Sequence, residues 1–473
     1  MSVGKTPIRA RPSGPVSRAT ALLTAASIAL YGNAAFAQPV NINAGIPLIR
    51  DTEIEQLLRE YTTPILRAAG LGQQNIRVVI INDRSFNAFV MDGRRIFVNT
   101  GALLDSETPN QIIGVLAHET GHIAGGHLAK LREQLASVQT AALIAMLAGV
   151  GAMVAGASAG GGSGLSQVGA AAVSTPGEIV RRTILSYQRT QEEAADRAGV
   201  KFLNETGQSP KGMYETFKRF ADQIQFVAGR VDPYLQSHPM PAERVRALEI
   251  FARTSPVWDK KDSPELQLRH DMMRAKLSAF MERPETVARR YPLSNTSLPA
   301  RYARAIATYR YADIRSAVAQ IDALIQVQPN NPYFWELKGQ ALLESGHPAE
   351  AIAPLRHAVS LAQNAPLIQV MLGQALVASE NPKVADEAIN ILRNALVREP
   401  ETPAGFTQLA MAYGRKGDLA QADLASAQAA FMRNDFKTAR ELAARARTRF
   451  PVGAPGWVKA DDIVNVKMPS LGR

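Results

Sequence analysis

From Leu298 onward the sequence repeats itself, and that repeat leaves few folds open. Gly339, Ala351, Leu355 and Ala358 recur as Gly373, Ala388, Leu392, Ala395 and Pro400, and again as Ala410, Ala422, Ser426 and Ala429. An earlier set, Ala305, Ala317, Ile321, Leu324 and Pro329, keeps the same register. Units starting near 298, 332, 366 and 403 give steps of 34, 34 and 37 residues. Small residues at fixed offsets let the two helices of a hairpin approach closely, and stacking such hairpins buries a continuous core that no single unit has. Ala439, Ala443, Ala446 and Pro451 continue the spacing, so a last helical pair is expected to reach about Pro451.

A period of ~34 residues with small residues at these positions is that of the TPR helical hairpin. An unrelated Ala-rich bundle is the alternative, and four matching registers argue against it. The reading is an all-α TPR solenoid over 298–451 with a C-terminal tail at 452–473. Residues 252–297, with Pro256, Pro264, Pro284 and Pro292, read as linker helices. Such an array has no chemistry of its own and presents a concave groove to another polypeptide.

Chemistry must come from the other half. The chain has no cysteine, which excludes disulfides, cysteine-ligated zinc and thiol catalysis. Any metal is therefore held by His, Asp or Glu. The string Gly114-Val-Leu-Ala-His118-Glu119-Thr-Gly-His122 contains H-E-x-x-H. At about 100° per residue His118 and His122 share a helix face one turn apart. Two imidazoles so placed can hold one Zn²⁺ while Glu119 takes the proton of a zinc-bound water that attacks a carbonyl. The apolar flank Ile112, Ile113, Val115, Leu116, Ala117 and Ile123 predicts a buried helix, and buried unpaired histidines are costly.

A catalytic zinc wants three protein ligands. On a continuous helix His127 lies ~180° from His118, which makes it a structural or surface residue and not a ligand. Glu192-Glu193-Ala-Ala-Asp196 is the better source: Glu192 and Asp196 are i and i+4 on one face, so one carboxylate can bind metal while the other takes the outer N–H of a ligating histidine. Glu193 competes with Glu192 for that role, and a solvated acidic helix start is the plain alternative.

The rest of this half is α+β. Arg50–Ala69 carries a helical apolar stripe, 76–81 is a β-branched strand, and Asn87–Met91 with Arg95–Asn99 around Asp92-Gly93 reads as a hairpin. Helical pattern resumes near Pro109. Residues 1–37 have four basic residues, a short apolar stretch at Ala19–Leu30, and Ala35-Phe36-Ala37, which is the layout of a signal peptide cleaved after Ala37. The net charge of +11 falls to +7 without that leader, and no Lys/Arg run is present, so nucleic acid is not an expected partner. Between Glu133 and Glu178 there is no charged residue, and Ala141–Ala157 is wholly apolar. At 17 residues it stands at the lower limit for a span. A transmembrane helix, contact with a membrane surface and a buried core helix all remain open for it.

His118-Glu119-Thr-Gly-His122, Glu192-x-x-x-Asp196, and Ser237-His238-Pro239 with Arg244 together resemble the family forty-eight metallopeptidases. So does Asn87-Ala88-Phe89 … Gly93 … Ile96-Phe97-Val98 … Gly101. With a leader in front and TPR repeats behind, the chain is similar to the BepA-like periplasmic protease-chaperones of that family. The resemblance implies a mostly helical α+β zincin-type (gluzincin) domain at 38–251, with one Zn²⁺ on His118, His122 and Glu192 and with Asp196 behind a histidine. It implies that His238 sits at the active site, where it can fill the fourth zinc position and hold the enzyme latent, and that Arg244 helps stabilise the oxyanion. It further implies a periplasmic endopeptidase acting on misfolded or stalled outer-membrane proteins, with the outer-membrane assembly machinery as partner of the TPR groove. The second function reading is a TPR chaperone or assembly adaptor whose zinc site is structural or plugged.

Overall fold

The computed structural model describes residues 47–91, 93–133, 188–224 and 238–466. The expected leader, the uncharged insert at 134–177, Asp92 and Ser237 lie outside the described residues. Among the described residues no helix is long and apolar enough to cross a membrane.

The N-terminal half begins with β1 (Leu48–Ile49) and α1 (Thr52–Ala68), whose N-terminus is capped by the Asp51 carboxylate accepting from the Ile54 amide. The stripe Ile54, Leu57, Leu58, Tyr61, Ile65 and Leu66 is buried, as its spacing requires. Three further strands follow: β2 (Arg77–Ile81), β3 (Ala88–Val90) and β4 (Arg95–Asn99). The sheet order is β1-β2-β4-β3. The expected hairpin forms, with Phe89 opposite Phe97 and Val90 opposite Ile96, and Gly93 takes a φ of +71° beside its turn. β2 runs parallel to β4, which leaves β3 at the sheet edge.

Helices α2 (Thr100–Asp105) and α3 (Pro109–Ala124) come next, then α4 over residues 188–205, α5 (Lys211–Ile224) and α6 (Ala242–Arg253). α7 (Pro264–Met281) is no surface linker. Its Met273 and Leu277 belong to the peptidase core, while Met272, Ala275 and Ala279 belong to the first core of the repeat half. Between these apolar faces lies a buried charged cluster. Lys276 Nζ is 2.7 Å from Asp51 Oδ2 and 3.1 Å from Glu53 Oε2, and the Tyr302 hydroxyl donates to Glu53 Oε2 at 2.9 Å. Buried Glu336 is raised to about 8, because burial outweighs the pull of Lys276.

The repeat half is a run of helix pairs: Leu298–Tyr311 with Ile314–Val327, Pro332–Glu344 with Pro348–Leu361, Pro366–Ala378 with Ala385–Arg398, and Pro403–Arg415 with Leu419–Met432. A Cβ on Gly339 would lie 2.3 Å from Leu355 Cγ, and one on Gly373 would lie 2.4 Å from Leu392 Cγ. The recurrence in sequence is thus the recurrence of one helix–helix contact. The longer 37-residue step is explained by the 3₁₀ turn Pro382–Val384 inserted before its second helix. One expectation is corrected. Beyond Pro451 the chain is not only a tail, since Pro455–Asn465 is helical and pairs with Phe436–Arg449, burying Ala460 against Leu424 and Ala446.

Candidate metal centre

α3 is set deep in the core by Ile112, Ile113, Val115, Leu116 and Ala117, and its burial carries His118 and Glu119 completely out of solvent. Two glycines bring α4 against it. A Cβ on Gly121 would lie 2.8 Å from the Ala195 carbonyl oxygen, and one on Gly199 would lie 3.2 Å from the His118 amide nitrogen. This close crossing delivers Glu192 and Asp196 to the histidine face. Glu193 points to solvent, so Glu192 is the glutamate that reaches the site.

His118, His122, Glu192 and His238 converge, one ligand atom from each lying within 4.8 Å of the others. His118 Nε2 is 3.1 Å from His122 Nε2, 3.3 Å from His238 Nδ1 and 3.4 Å from Glu192 Oε2. Glu192 Oε1 is 3.4 Å from His122 Nε2, and Glu192 Oε2 is 3.0 Å from His238 Nδ1. Ligand atoms in a tetrahedral zinc site with bonds near ~2.05 Å stand about 3.3 Å apart.

The outward nitrogens of His118 and His238 each face an oxygen, so the inward atoms can act as acceptors. His118 Nδ1 lies at an ion-pair distance of 2.9 Å from Asp196 Oδ1, without hydrogen-bond alignment, and with its proton on that side Nε2 presents a lone pair. His238 Nε2 lies 3.3 Å from the Ala88 carbonyl oxygen, an acceptor for its proton, and in that tautomer Nδ1 presents a lone pair beside Glu192 Oε2. Lone pairs and a carboxylate facing one another in a buried space fit a cation, and the donor set of imidazoles and a carboxylate is one that zinc takes. Without a cation, protons must serve. His118 is raised to about 9, because hydrogen bonds to Asp196 and Glu192 outweigh the burial that opposes its charge. Glu192 is held well below the usual carboxylate range by His238, His118 and Arg244 despite burial.

Glu119 stands beside this cluster with neither carboxylate oxygen hydrogen-bonded, and His238 Nε2 is 3.4 Å from its Oε1. Burial pushes its carboxyl above the usual range, against the pull of His238 and His118. A cavity of about 310 Å³ opens on Glu119, His122 and His238 and is walled by Phe89, Val90 and Ile123.

Arg244 packs against Asp196, Glu192 and the residue after His238. Its guanidinium is buried behind the ligands, donating to Asp196 Oδ2 at 2.7 Å and Oδ1 at 2.8 Å and to the Pro239 carbonyl at 2.9 Å, with Glu192 Oε2 at 2.8 Å. It holds Asp196 at about 2 against burial and ties the His238 turn to α4. His127 takes the structural one of its two expected alternatives. It is buried, not on the surface, and its Nδ1 lies 3.0 Å from His122 Nδ1. α3 ends at Ala124, and Gly126 with φ of +63° turns the chain before helix resumes at 127, so positions past 125 no longer follow the α3 face. The Gly125-Gly126 pair was the signal in the sequence for that break.

Residues 49–252 match the family model described as Peptidase family M48. Residues 49–252 are an M48 metallopeptidase domain, and the chain is a metalloendopeptidase. Curated relatives extend beyond that domain. The Beta-barrel assembly-enhancing protease of Yersinia pestis is 25% identical over 421 residues, covering 87% of this chain and 83% of that protein. The protein of the same name from Escherichia coli (strain K12) is 22% identical over 387 residues, covering 78% and 74%. Metalloprotease LoiP from Escherichia coli (strain K12) is 31% identical over 187 residues, 39% of this chain and 66% of its own. The M48 domain precedes the helical-pair array described above, and every residue of the proposed centre lies inside its bounds.

Proposed function

We propose that this chain is a zinc-dependent endopeptidase of the periplasm, reached by a leader cleaved after Ala37, that degrades misfolded or stalled outer-membrane polypeptides and assists their assembly. The observation that carries the reading is the convergence of four ligand atoms, from His118, His122, Glu192 and His238, beside a Glu119 whose carboxylate oxygens are not hydrogen-bonded among the described residues. His118, His122 and Glu192 would hold the ion, a gluzincin-type set, with Asp196 orienting His118 through Nδ1. When bound, Zn²⁺ supplies Lewis acidity toward a water and a peptide carbonyl. Glu119 accepts the proton of the attacking water at a carboxylate oxygen and passes it to the leaving amine, a task suited to a carboxyl raised by burial. Arg244 keeps Asp196 and Glu192 ionised and in place.

β3 presents its outer edge to an extended substrate, since the Asn87 carbonyl accepts from the Asn99 amide on β4 and the Ala88 carbonyl therefore faces away from β4. The repeat groove holds the unfolded chain and the assembly machinery, in keeping with the printed names of the relatives in Yersinia pestis and Escherichia coli. The test is Glu119→Gln. Metal content and fold should persist while cleavage of an unfolded outer-membrane protein is lost, and unchanged cleavage would overturn the mechanism.

A second reading, a latent or adaptor protein, is favoured by His238, whose Nδ1 is among the four convergent atoms and whose Nε2 reaches the Ala88 carbonyl on the open edge. His238 in this position would fill the fourth metal position and cover the strand edge. His238→Ala should release cleavage, and a metal-loaded variant that stays inactive would favour the adaptor.

A further inference from the structure

The outer nitrogen of His118 is held by Asp196, but His122 has a different neighbour. Its Nδ1 lies 3.0 Å from Nδ1 of His127, and the two rings meet edge to face at 5.0 Å between centroids. Two imidazole nitrogens at that distance share one proton, one donating and the other accepting. For His122 Nε2 to present a lone pair to a metal, its proton must sit on Nδ1, and the partner must then be the acceptor. His127 is buried, and its ring lies over Gly125, where a Cβ would come 2.2 Å from His127 Nε2. The missing side chain at 125 and the turn at Gly126 are what let the ring fold back on His122.

We propose that His127 is a positioning residue of the metal site: its Nδ1 accepts the Nδ1–H of His122 and so fixes the tautomer in which His122 Nε2 faces the metal. This rests on the metal reading of His118, His122 and Glu192 given above. The two histidine ligands are then supported unequally, His118 by an anionic carboxylate and His122 by a neutral imidazole. A carboxylate behind a ligand makes it the stronger donor, so His127 leaves His122 the weaker one while still orienting it.

The test uses the purified chain with Zn²⁺ affinity read by chelator competition and Co²⁺ substitution read by visible absorption, neither of which needs turnover. His127→Phe keeps a ring over Gly125 and removes the acceptor, and affinity should fall about 10–100-fold with a changed cobalt spectrum. His127→Gln, whose amide oxygen can accept, should recover most of that loss, which a packing role would not. Gly125→Ala gives an independent route. Gly125 has φ of −74°, which alanine adopts freely, so the added methyl displaces the His127 ring without removing it and should reproduce the loss. Unchanged affinity and spectrum in both His127→Phe and Gly125→Ala would overturn the proposal alone, whereas a wild-type chain that binds no metal would overturn the metal reading with it.

Discussion

Gly121 and Ala195 are in contact: a Cβ on the glycine would lie 2.8 Å from the alanine carbonyl oxygen. The metal-binding face exists because α3 and α4 cross at this point without side chains between them. Gly121→Ala should therefore force the helices apart, costing about 1–3 kcal/mol as other overpacked core substitutions do. Because Glu192 lies on the displaced helix, metal affinity should fall in the same variant. Urea denaturation and chelator competition measure the two effects. A variant that keeps both would show that the crossing does not set the site.

Arg244 and Asp196 make two parallel hydrogen bonds in a buried place. Arg244→Ala leaves Asp196 and Glu192 without that partner and should cost about 3–5 kcal/mol. Arg244→Lys should rescue little, since one ammonium cannot reproduce the fork. The pH dependence follows in sign. Asp196 is lowered from 3.8 to about 2, so its contribution is complete above the unfolded value and is lost as pH falls from about 4 toward 2. Acid unfolding should begin at higher pH in Arg244→Lys than in the wild type, as followed by circular dichroism.

What the sequence disclosed depended on how locally each feature is encoded. H-E-x-x-H and the repeat hairpins are legible because helix periodicity alone places His118 beside His122 and Gly339 against Leu355. Glu192 and Asp196 were legible as one face, but choosing Glu192 over Glu193 needed the resemblance or the structure. The contact of His127 with His122 was not legible, because an angle counted along a continuous helix does not hold past Ala124, where the helix stops. The cluster of Asp51, Glu53, Lys276, Tyr302 and Glu336 had no signal at all. Its members come from four separate helices and their caps, and nothing local marks a lysine that tertiary packing will bury. The helix beyond Pro451 was missed for the same reason, since it depends on what packs against it.

Glu336 carries a second pH prediction. Its carboxyl is raised from 4.5 to about 8, so the folded chain holds a proton that the unfolded chain releases. Stability from this group is greatest below about 4.5 and declines as pH rises through the window to about 8. Glu336→Gln should remove that slope and stabilise the fold near pH 8 by on the order of 1 kcal/mol or more, read as a higher melting temperature. Melting curves at pH 5 and pH 8 compare the two proteins. An equal slope in both would place the proton elsewhere in the cluster.

Gly339→Ala should destabilise the repeat array by about 1–3 kcal/mol, because its methyl falls on Leu355. Leu355→Ala alone leaves a cavity and should cost about 2–5 kcal/mol. The double variant should be less destabilised than the sum, a coupling that chemical denaturation of all four proteins measures. Strict additivity would contradict the contact.

The most direct measurement is metal bound per chain, by elemental analysis of protein purified without chelators, for the wild type and for Glu192→Ala. About one zinc per wild-type chain and a large loss in Glu192→Ala are expected, since the carboxylate is one of three protein ligands. A wild-type chain without metal, or an unchanged zinc content in Glu192→Ala, would contradict the assignment of His118, His122 and Glu192 as the centre of this peptidase.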